Sequence, residues 1–500
     1  MAADSKAVGE KRPKVFVIGA KNQKFDDAEQ LEPYIKDLVE MQDVEEVNIA
    51  DNSFGVGAAK RLADVLATKK TLKVATMNDI FGGRGNSEIP PALSSLLSAL
   101  AQLPELHTVV LSGNAIGEYV YDKKKEHGDV DLIEFLSTHV PLQHLYLANV
   151  GLSGETSDLV ARALWRLHKN KVDAKTSAKL ETVVCGKQHL RNDSMPAWAQ
   201  TFRLHDQVKV VDIQGSRIMS GGLRSLMDTE HKKKKEDHKA ADGVAKQEED
   251  EGKDEAKKKR QDDITRLHTV ILDTQFRDAD LLDAVPASLK KYEGGSEVVD
   301  LLLRVRPRGG LKHARKLEVL NLYDNTFSDA CAGAFAKQVP RWTELVELDV
   351  ADTALRDRGA YLLGLALEKG KNAKLRTLRL QGNEIKPRGI AKLSGALVSG
   401  DNAAALQRVE LDRNQFDEDN EDVQALKKLL DKRRSKWEKE NGGDDADDVD
   451  DDAWGLDEFE EPEDESDLED DEEPELEPDS EEEEGGIVDE LASKLEKTSI

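Results

Sequence analysis

One arginine lies in a loop whose composition suits it to contact a charged partner. The segment NDIFGGRGNSEIPPAL at 78–93 places Arg84 between two glycines, shortly before a Pro-Pro helix start. An exposed guanidinium can pair with a carboxylate or a phosphate through two parallel hydrogen bonds. The sequence therefore predicts an exposed Arg84 that contacts a partner, and the alternative is a salt bridge within the chain.

The sequence contains few motifs that would indicate an enzyme. The chain has no metalloprotease, P-loop, nucleophile-elbow or kinase signature, and GGRG at 82–85 is too short for a phosphate-binding loop. His231 and His238 flank a lysine cluster, but nothing nearby supplies the remaining ligands of a metal site. We expect a binding scaffold without a catalytic centre, cofactor or metal of its own.

The elements that position such residues come from an internal repeat, L-x-x-L-x-L-x-x-N-x-L. Five copies match this template closely and the others are degenerate. A basic unit near 28 residues leaves room for a short strand, a turn and a returning helix. The ninth template positions are residues 52, 80, 114, 150, 188, 216, 325, 353, 383 and 414.

Repeats of this kind stack, because no single repeat can bury its apolar face alone. We predict an α/β leucine-rich-repeat solenoid of the ribonuclease-inhibitor type, a horseshoe with a parallel sheet inside and helices outside. It should span residues 13–435, after a disordered stretch at 1–12. The ninth-position asparagines are expected to hydrogen-bond backbone groups where each strand turns into a loop.

Asn149 departs from this template. It occupies the eighth position of its repeat, and the ninth position holds Val150. The amide of Asn149 is therefore not needed for the backbone at that point, and it should stand at the end of the sheet where a partner can reach it. The alternative is an ordinary polar loop residue.

Composition limits the class of partner. The net charge of −28 would repel nucleic-acid phosphates, but it suits a basic protein partner or simple solubility. The two cysteines, Cys185 and Cys331, cannot form a disulfide framework and indicate a reducing, intracellular setting. No run has the length of a signal peptide's apolar region or of a membrane span, so we expect no membrane association.

Two stretches interrupt the pattern. A charged insertion at about 230–308 contains the clusters Lys232–Lys235 and Lys257–Arg260, which indicate either a split nuclear-import signal or a solvated loop. Residues 442–486 form an acidic segment that is predicted to be a disordered tail. Trp454, Leu456 and Phe459 lie within it, as in acidic segments that clamp basic surfaces. A short amphipathic segment follows at 487–500.

Several segments resemble the Ran GTPase-activating proteins, of the fungal, leucine-rich-repeat type. The loop at 79–93 looks like the signature loop of that family. Similar segments follow in the same order: LPELHTVVLSGNAIG, PLQHLYLANVGLSG and CGKQHLRNDSM. The resemblance implies an activator that stimulates GTP hydrolysis by the small GTPase Ran in support of nucleocytoplasmic transport. GTP and Mg²⁺ would be carried by Ran.

The resemblance also implies roles for individual residues. Asn149 matches the asparagine that orients the catalytic glutamine of Ran, and Arg84 matches an arginine with a binding or orienting role. Further partner-binding positions would be Asn52, Asn114, Asp79 and Asn86. A monomer that binds Ran in its GTP form, alone or with a Ran-binding protein, is expected in the cytoplasm, with perinuclear or some nuclear presence.

Two other functions are compatible with the repeats. The array and its tail could form a non-catalytic scaffold for basic proteins such as histones. An inhibitor that plugs an enzyme's active site shares the fold, but it requires aromatic and charged anchors that the predicted strands offer only sparsely.

Overall fold

The computed structural model describes residues 14–120, 130–227, 309–399, 402–441 and 453–459. The predicted disordered N-terminus, the whole of the charged insertion and the segment 487–500 lie outside these residues. In the described part, one helix-backed parallel sheet carries the whole fold.

The sheet has twelve strands, and neighbouring strands follow each other in the sequence. Two short strands, β2 (Lys24–Phe25) and β4 (Ser53–Phe54), pair separately beside it. The twelve strands are β1 (Val15–Val17), β3 (Glu46–Asn48), β5 (Val74–Thr76), β6 (Thr108–Val110), β7 (His144–Tyr146), β8 (Thr182–Val184), β9 (Val210–Asp212), β10 (Val319–Asn321), β11 (Glu347–Asp349), β12 (Thr377–Arg379), β13 (Arg408–Glu410) and β14 (Gly455–Leu456).

Each strand is followed by a return segment, and most of these contain an α-helix. The described helices are α1 (Ala28–Glu40), α2 (Val56–Leu66), α3 (Ile89–Leu100), α4 (Leu132–Thr138), α5 (Gly154–Asp173), α6 (Arg191–Leu204), α7 (Ser220–Met227), α8 (Ser328–Gln338), α9 (Arg356–Leu367), α10 (Pro387–Val398) and α11 (Glu421–Asn441). The helices pack against one another in sequence order, for example α9 on α10 and α5 on α6.

The strands alternate as the template requires. In β7 the central Leu145 is buried toward the helices, while His144 and Tyr146 are half-buried on the other face of the sheet. The apolar residues of all the repeats join in one continuous core. The predicted leucine-rich-repeat architecture, with a parallel sheet on one side and helices on the other, is confirmed.

All ten predicted repeats correspond to strands, and one further strand precedes them. β1 pairs with β3 in register, Phe16 beside Val47. The turn after β1 then takes eight residues to reach Phe25 from Val17, whereas the next repeat takes six from Asn48 to Phe54. The two extra residues shift the sequence pattern, which is why template counting missed this repeat.

The C-terminal boundary was predicted too early. α11 continues to Asn441, beyond residue 435. More importantly, residues 453–459, inside the segment predicted to be a disordered tail, supply β14, which pairs in parallel with β13. This short stretch is therefore part of the array, because its apolar residues pack on the last repeat.

The insertion does not interrupt the sheet. β9 and β10 pair directly, with Val211 beside Leu320, although they are separated by the insertion in sequence. The Gly309 N–H donates to the Ser225 carbonyl at 2.8 Å, so the chain leaves and re-enters the array at neighbouring points. No helix in the described ranges is long and apolar enough to cross a bilayer. Cys185 and Cys331 are both buried and form no disulfide.

Candidate functional site

The turn that follows each strand has one repeated backbone feature. The residue at the eighth template position has a positive φ, between 49° and 76°. Glycine adopts this left-handed conformation freely, and asparagine and aspartate tolerate it better than other residues. We call these residues the eighth-position row: Asp51, Asp79, Gly113, Asn149, Lys187, Gly215, Asp324, Asp352, Gly382 and Arg413.

Main-chain hydrogen bonds tie the row together. The Asn149 N–H donates to the Gly186 carbonyl at 2.9 Å, and the Gly113 N–H donates to the Ala148 carbonyl at 2.8 Å. This ladder fixes the backbone of the row without any contribution from its side chains. The side chains are thus available for other contacts along the edge at the carboxyl ends of the strands, which we call the carboxyl edge.

Asn149 stands on this edge. Its side chain is exposed and makes no hydrogen bond to the described part of the chain, whereas the following Val150 is fully buried. The turn itself is held firmly, because the Gly117 N–H donates to the Val150 carbonyl at 2.7 Å. A Cβ atom on Gly117 would lie 2.0 Å from the Gly151 carbonyl oxygen, so the two turns touch backbone to backbone. A rigid turn thus presents an amide with free donors and a free acceptor.

The neighbours of Asn149 in the row are Gly113 and Lys187. Gly113 has no side chain, so Asn149 is open on that side, and the exposed Asp79 lies one strand further along. With strands about 5 Å apart, Asp79 and Asn149 are separated by roughly 10 Å across the gap at Gly113. Lys187 places an exposed ammonium group on the other side. The sequence prediction did not include Gly113 or Lys187, although the repeat register alone places them beside Asn149.

Asn52 and Asn114 do not belong to this exposed site. The Asn114 amide nitrogen donates to the carbonyls of Met77 and Leu111, each at 2.8 Å, and its oxygen accepts the Ile80 N–H at 2.8 Å. Asn52 similarly accepts the Gln23 N–H and donates to the Ala50 carbonyl. Both residues are buried. The expectation that they contact a partner is corrected, because their amides are already engaged in closing the strand-to-loop junctions.

Arg84 is buried rather than projected into solvent. Its side chain is 2% exposed and forms an ion pair with Asp26. Its Nη2 donates to the carbonyls of Phe25 and Ser53, and its Nε donates to the Ser53 hydroxyl at 2.8 Å. The prediction of an exposed Arg84 was therefore wrong, and the alternative of a salt bridge within the chain is confirmed.

The glycine opposite Arg84 explains how the guanidinium fits. A Cβ on Gly55 would lie 2.9 Å from Nη1 of Arg84 and 3.0 Å from the Asp26 carbonyl oxygen. The side chain thus fastens the first two repeats to the loop of the third. Of the remaining predicted residues, Asp79 and Asn86 are both exposed on this part of the molecule.

No group of three or more His, Cys, Asp or Glu side chains in the described ranges is placed to hold a metal ion. His231 and His238 lie outside those ranges. The site consists of an amide, a nearby carboxylate and a lysine on a rigid edge. That combination can bind and orient a partner's groups by hydrogen bonding.

Comparison with known proteins agrees with the repeats. The Leucine Rich repeat family matches residues 371–394. Ran GTPase-activating protein 1 of Saccharomyces cerevisiae is 25% identical over 424 residues, which cover 83% of this chain and 82% of the yeast protein. Ran GTPase-activating protein 1 of Xenopus laevis is 34% identical over 188 residues, 37% of this chain and 31% of the frog protein.

The chain is thus similar to Ran GTPase-activating proteins, along most of its length in the case of the yeast protein. The Ran GTPase-activating protein of Drosophila melanogaster is also similar, at 30% identity over 186 residues, 37% of this chain and 30% of the fly protein. The match with these animal Ran GTPase-activating proteins thus spans less than a third of their length, whereas the match with the yeast protein spans most of both chains. Solved structures are more distant: an internalin of Listeria monocytogenes, 10% identical and covering 77% of this chain and 78% of its own, has a TM-score of 0.32.

Proposed function

We propose that this protein is a GTPase activator for Ran and that it acts through Asn149 on the carboxyl edge. The relatives support the activity, since proteins of yeast, frog, worm and fly that bear this function in their names are similar to the chain. The observation that carries the site is the exposed, unengaged amide of Asn149 beside a fully buried Val150. The scaffold alternative is not favoured by these relatives.

In the proposed mechanism, Asn149 orients the catalytic glutamine of Ran. A primary amide can donate to the glutamine carbonyl and accept from the glutamine amide at the same time. The glutamine then holds the attacking water in line with the γ-phosphate. Positioning of this kind can lower a barrier by several kcal/mol, on the order of 7 or more in favourable cases.

This mechanism needs no arginine from the activator. Arg84, the arginine that the sequence singled out, is held inside the chain by Asp26, Phe25 and Ser53. Releasing it to reach a phosphate would leave the Ser53 carbonyl without its donor, which costs about 1–3 kcal/mol, whereas the Phe25 carbonyl would still accept the Gly55 N–H at 2.7 Å. We therefore propose that Arg84 acts indirectly, by fixing the loop that carries Asp79 and Asn86.

Single-turnover hydrolysis of GTP by Ran tests the proposal. The informative variant is Asn149→Gly, because glycine keeps the left-handed turn and removes only the side chain. We expect at least a 100-fold loss of stimulation with little change in the melting temperature. Arg413→Gly, in the same row six strands away, is the matched control and should retain full stimulation.

Two outcomes would reject the proposal. Failure of the folded wild-type chain to stimulate Ran would exclude the activity itself. Full stimulation by Asn149→Gly would exclude the glutamine-orienting role while leaving the activity in place. Measuring Ran binding alongside hydrolysis separates a loss of positioning from a loss of affinity.

The remaining features of the function are part of the same proposal. The activator has no catalytic centre or cofactor of its own, and GTP and Mg²⁺ are supplied by Ran in its GTP form, alone or with a Ran-binding protein. It works in the cytoplasm as a monomer. Hydrolysis assays with metal-free activator and Mg²⁺-loaded Ran test whether the activator needs a cofactor of its own.

A further inference from the structure

The end of the array holds a short strand that comes from the acidic C-terminal segment. Residues 453–459 lie against β13 and α11, after a connector, 442–452, that is rich in aspartate. The Gly455 N–H donates to the Gln407 carbonyl at 2.9 Å, and the Asp457 N–H donates to the Val409 carbonyl at 3.3 Å. The segment therefore extends the sheet in the way that an added peptide strand does.

A side chain completes this pairing. In the interior of the array, the N–H of the sixth template position donates to a backbone carbonyl of the next strand, as Leu380 donates to Glu410 at 2.9 Å. At the last complete repeat, the N–H groups of Leu411 and Asp412 donate instead to the Asp457 carboxylate, at 2.7 and 2.8 Å. A carboxylate that accepts two backbone N–H groups gives a specific, charge-assisted contact.

Contacts from the body of the array reach back to the segment. Nη1 of Arg408 donates to the carbonyls of Trp454 and Leu456, each at 3.2 Å. The backbone of the segment is thus held from both sides. The pairing is specific in register, because Val409 faces Leu456 in the parallel ladder.

Aromatic rings fix the two ends of the segment. Trp454 is almost fully buried, and its ring centroid lies 5.7 Å from that of Trp437 on α11. The ring of Phe459 lies 6.3 Å from that of Phe416, which follows β13. Aromatic pairs at these distances are stabilising beyond the area they bury.

The connector does not impose this placement. Its eleven residues, 442–452, could span up to about 36–40 Å when extended, so they leave the segment wide freedom of position. Tethering raises the local concentration of the segment, but the choice of site must come from the contacts themselves.

We propose that the end of the array formed by β13 and α11 is a peptide-binding site. Its ligand is an extended acidic segment of the pattern W-x-L-D-x-F, and residues 454–459 of the same chain occupy it. The bound segment closes the terminal repeat and anchors the rest of the tail at the carboxyl edge. This site is independent of Asn149, which lies six strands away.

The test is to cut the connector in the folded, full-length chain. A protease site placed within 442–452 would be cleaved, and retention of the C-terminal fragment would be followed by gel filtration in 0.5 M salt. We expect the fragment to stay bound at micromolar concentration, and a synthetic peptide of residues 450–462 to displace it. Trp454→Ala and Asp457→Ala should each weaken retention at least tenfold.

Glu458→Ala is the matched control, because Glu458 is exposed, lies next to Asp457 and carries the same charge. It should behave as the wild type does. Complete release of the fragment from a body that remains folded by circular dichroism would overturn the proposal. So would retention that salt abolishes and that responds equally to Asp457→Ala and Glu458→Ala, because retention would then rest on charge alone.

In the uncut chain, amide hydrogen exchange gives a second readout. The N–H groups of Leu411 and Asp412 should exchange faster in Asp457→Ala than in Glu458→Ala, while those of β5 to β7 should be unchanged. Equal protection at residues 411 and 412 in both variants would contradict the assigned contacts.

Discussion

At the scale of the residue, polar side chains in adjacent template positions have opposite roles. Asn114, at a ninth position, is buried and uses its whole amide for three backbone groups. Asn149, at an eighth position, has a backbone that is already satisfied and an amide that is exposed. A shift of one position along the turn therefore separates a structural asparagine from one that can act on a partner.

Arg84→Ala tests the structural role of the buried guanidinium. We expect a destabilisation of about 1–3 kcal/mol, because the Ser53 carbonyl loses its donor, the Phe25 carbonyl keeps the Gly55 N–H, and the Asp26 contribution is small at an exposed carboxylate. Urea unfolding measures this. Arg84→Lys should recover little of the loss, since an ammonium cannot reproduce the planar fork. A fully stable Arg84→Ala that no longer stimulates Ran would instead indicate direct contact with the partner.

Gly117→Ala tests the backing of the Asn149 turn. The new Cβ would press on the Gly151 carbonyl oxygen and displace the turn, so stimulation of Ran should fall at least tenfold although Asn149 is intact. Gly333→Ala in α8 is the control, because no described atom beyond the adjacent backbone of its own helix lies within 4 Å of its Cβ position, and it should leave stimulation unchanged. Equal activity of the two variants would show that the contact tolerates a methyl group.

The sequence predicted the environment of Asn149 better than that of Arg84. Template position alone separates Asn149 from the buried Val150, because the repeat imposes the same geometry on every copy. Arg84 sits in a loop that departs from the template, and its partners Phe25 and Asp26 belong to the repeat that template counting missed. A contact between residues so far apart in sequence leaves no local pattern.

At the scale of the element, the insertion leaves the fold at one point and returns beside it. α7 ends at Met227, whose carbonyl accepts from Nε2 of Gln338, and Gly309 is bonded to Ser225. The helices run opposite to the strands, so these points lie at the edge away from Asn149. The insertion is thus attached at the edge formed by the amino ends of the strands, opposite the carboxyl edge that holds the proposed site.

Replacing residues 230–307 by a short Gly-Ser linker should therefore preserve the array. We expect a melting temperature within about 3 °C of the wild type, since loop length changes stability only slowly, and unchanged stimulation of Ran. Thermal unfolding and single-turnover hydrolysis measure the two. A large loss of stability would show that the insertion contributes packing to β9 or β10.

The ends of the array were the hardest elements to predict. The central repeats follow from the count of apolar residues, whereas β14 lies in a stretch whose composition is that of a disordered chain. Its few apolar residues, Trp454, Leu456 and Phe459, gain their partners from α11, β13 and the turn after β13. Average composition cannot register so short an ordered segment.

At the scale of the whole molecule, buried histidines make stability depend on pH. Burial lowers the pKa of His139 to about 4 and that of His205 to about 3. Each ring also hydrogen-bonds a buried carbonyl, of Leu106 and Leu164 respectively. Below about pH 6.5 these histidines are protonated in the unfolded chain but stay neutral in the folded chain. Their contribution to stability is therefore complete above pH 6.5 and is lost as the pH falls.

Urea unfolding at pH 7 and pH 5 measures the effect. Each histidine can account for up to about 2 kcal/mol of lost stability over this range, so His139→Gln and His205→Gln should each lose less between the two pH values than the wild type. Burial of Asp349 opposes the trend, because its pKa is raised to about 6 and its contribution to stability declines as the pH rises. His189→Gln, at an exposed histidine, serves as the control. If neither His139→Gln nor His205→Gln reduces the loss of stability between pH 7 and pH 5, the pH effect belongs to other groups.

The eighth-position row also bears on which inherited changes would escape notice. At Asn114 almost any substitution should lower the amount of protein in a cell, because it breaks the fold. At Asn149, changes to aspartate or glycine fit the backbone and leave the abundance of the protein normal. A survey of variants by protein level alone would score them as harmless, although the proposed activity would be gone. At this edge, protein abundance should therefore fail to report the loss of activity.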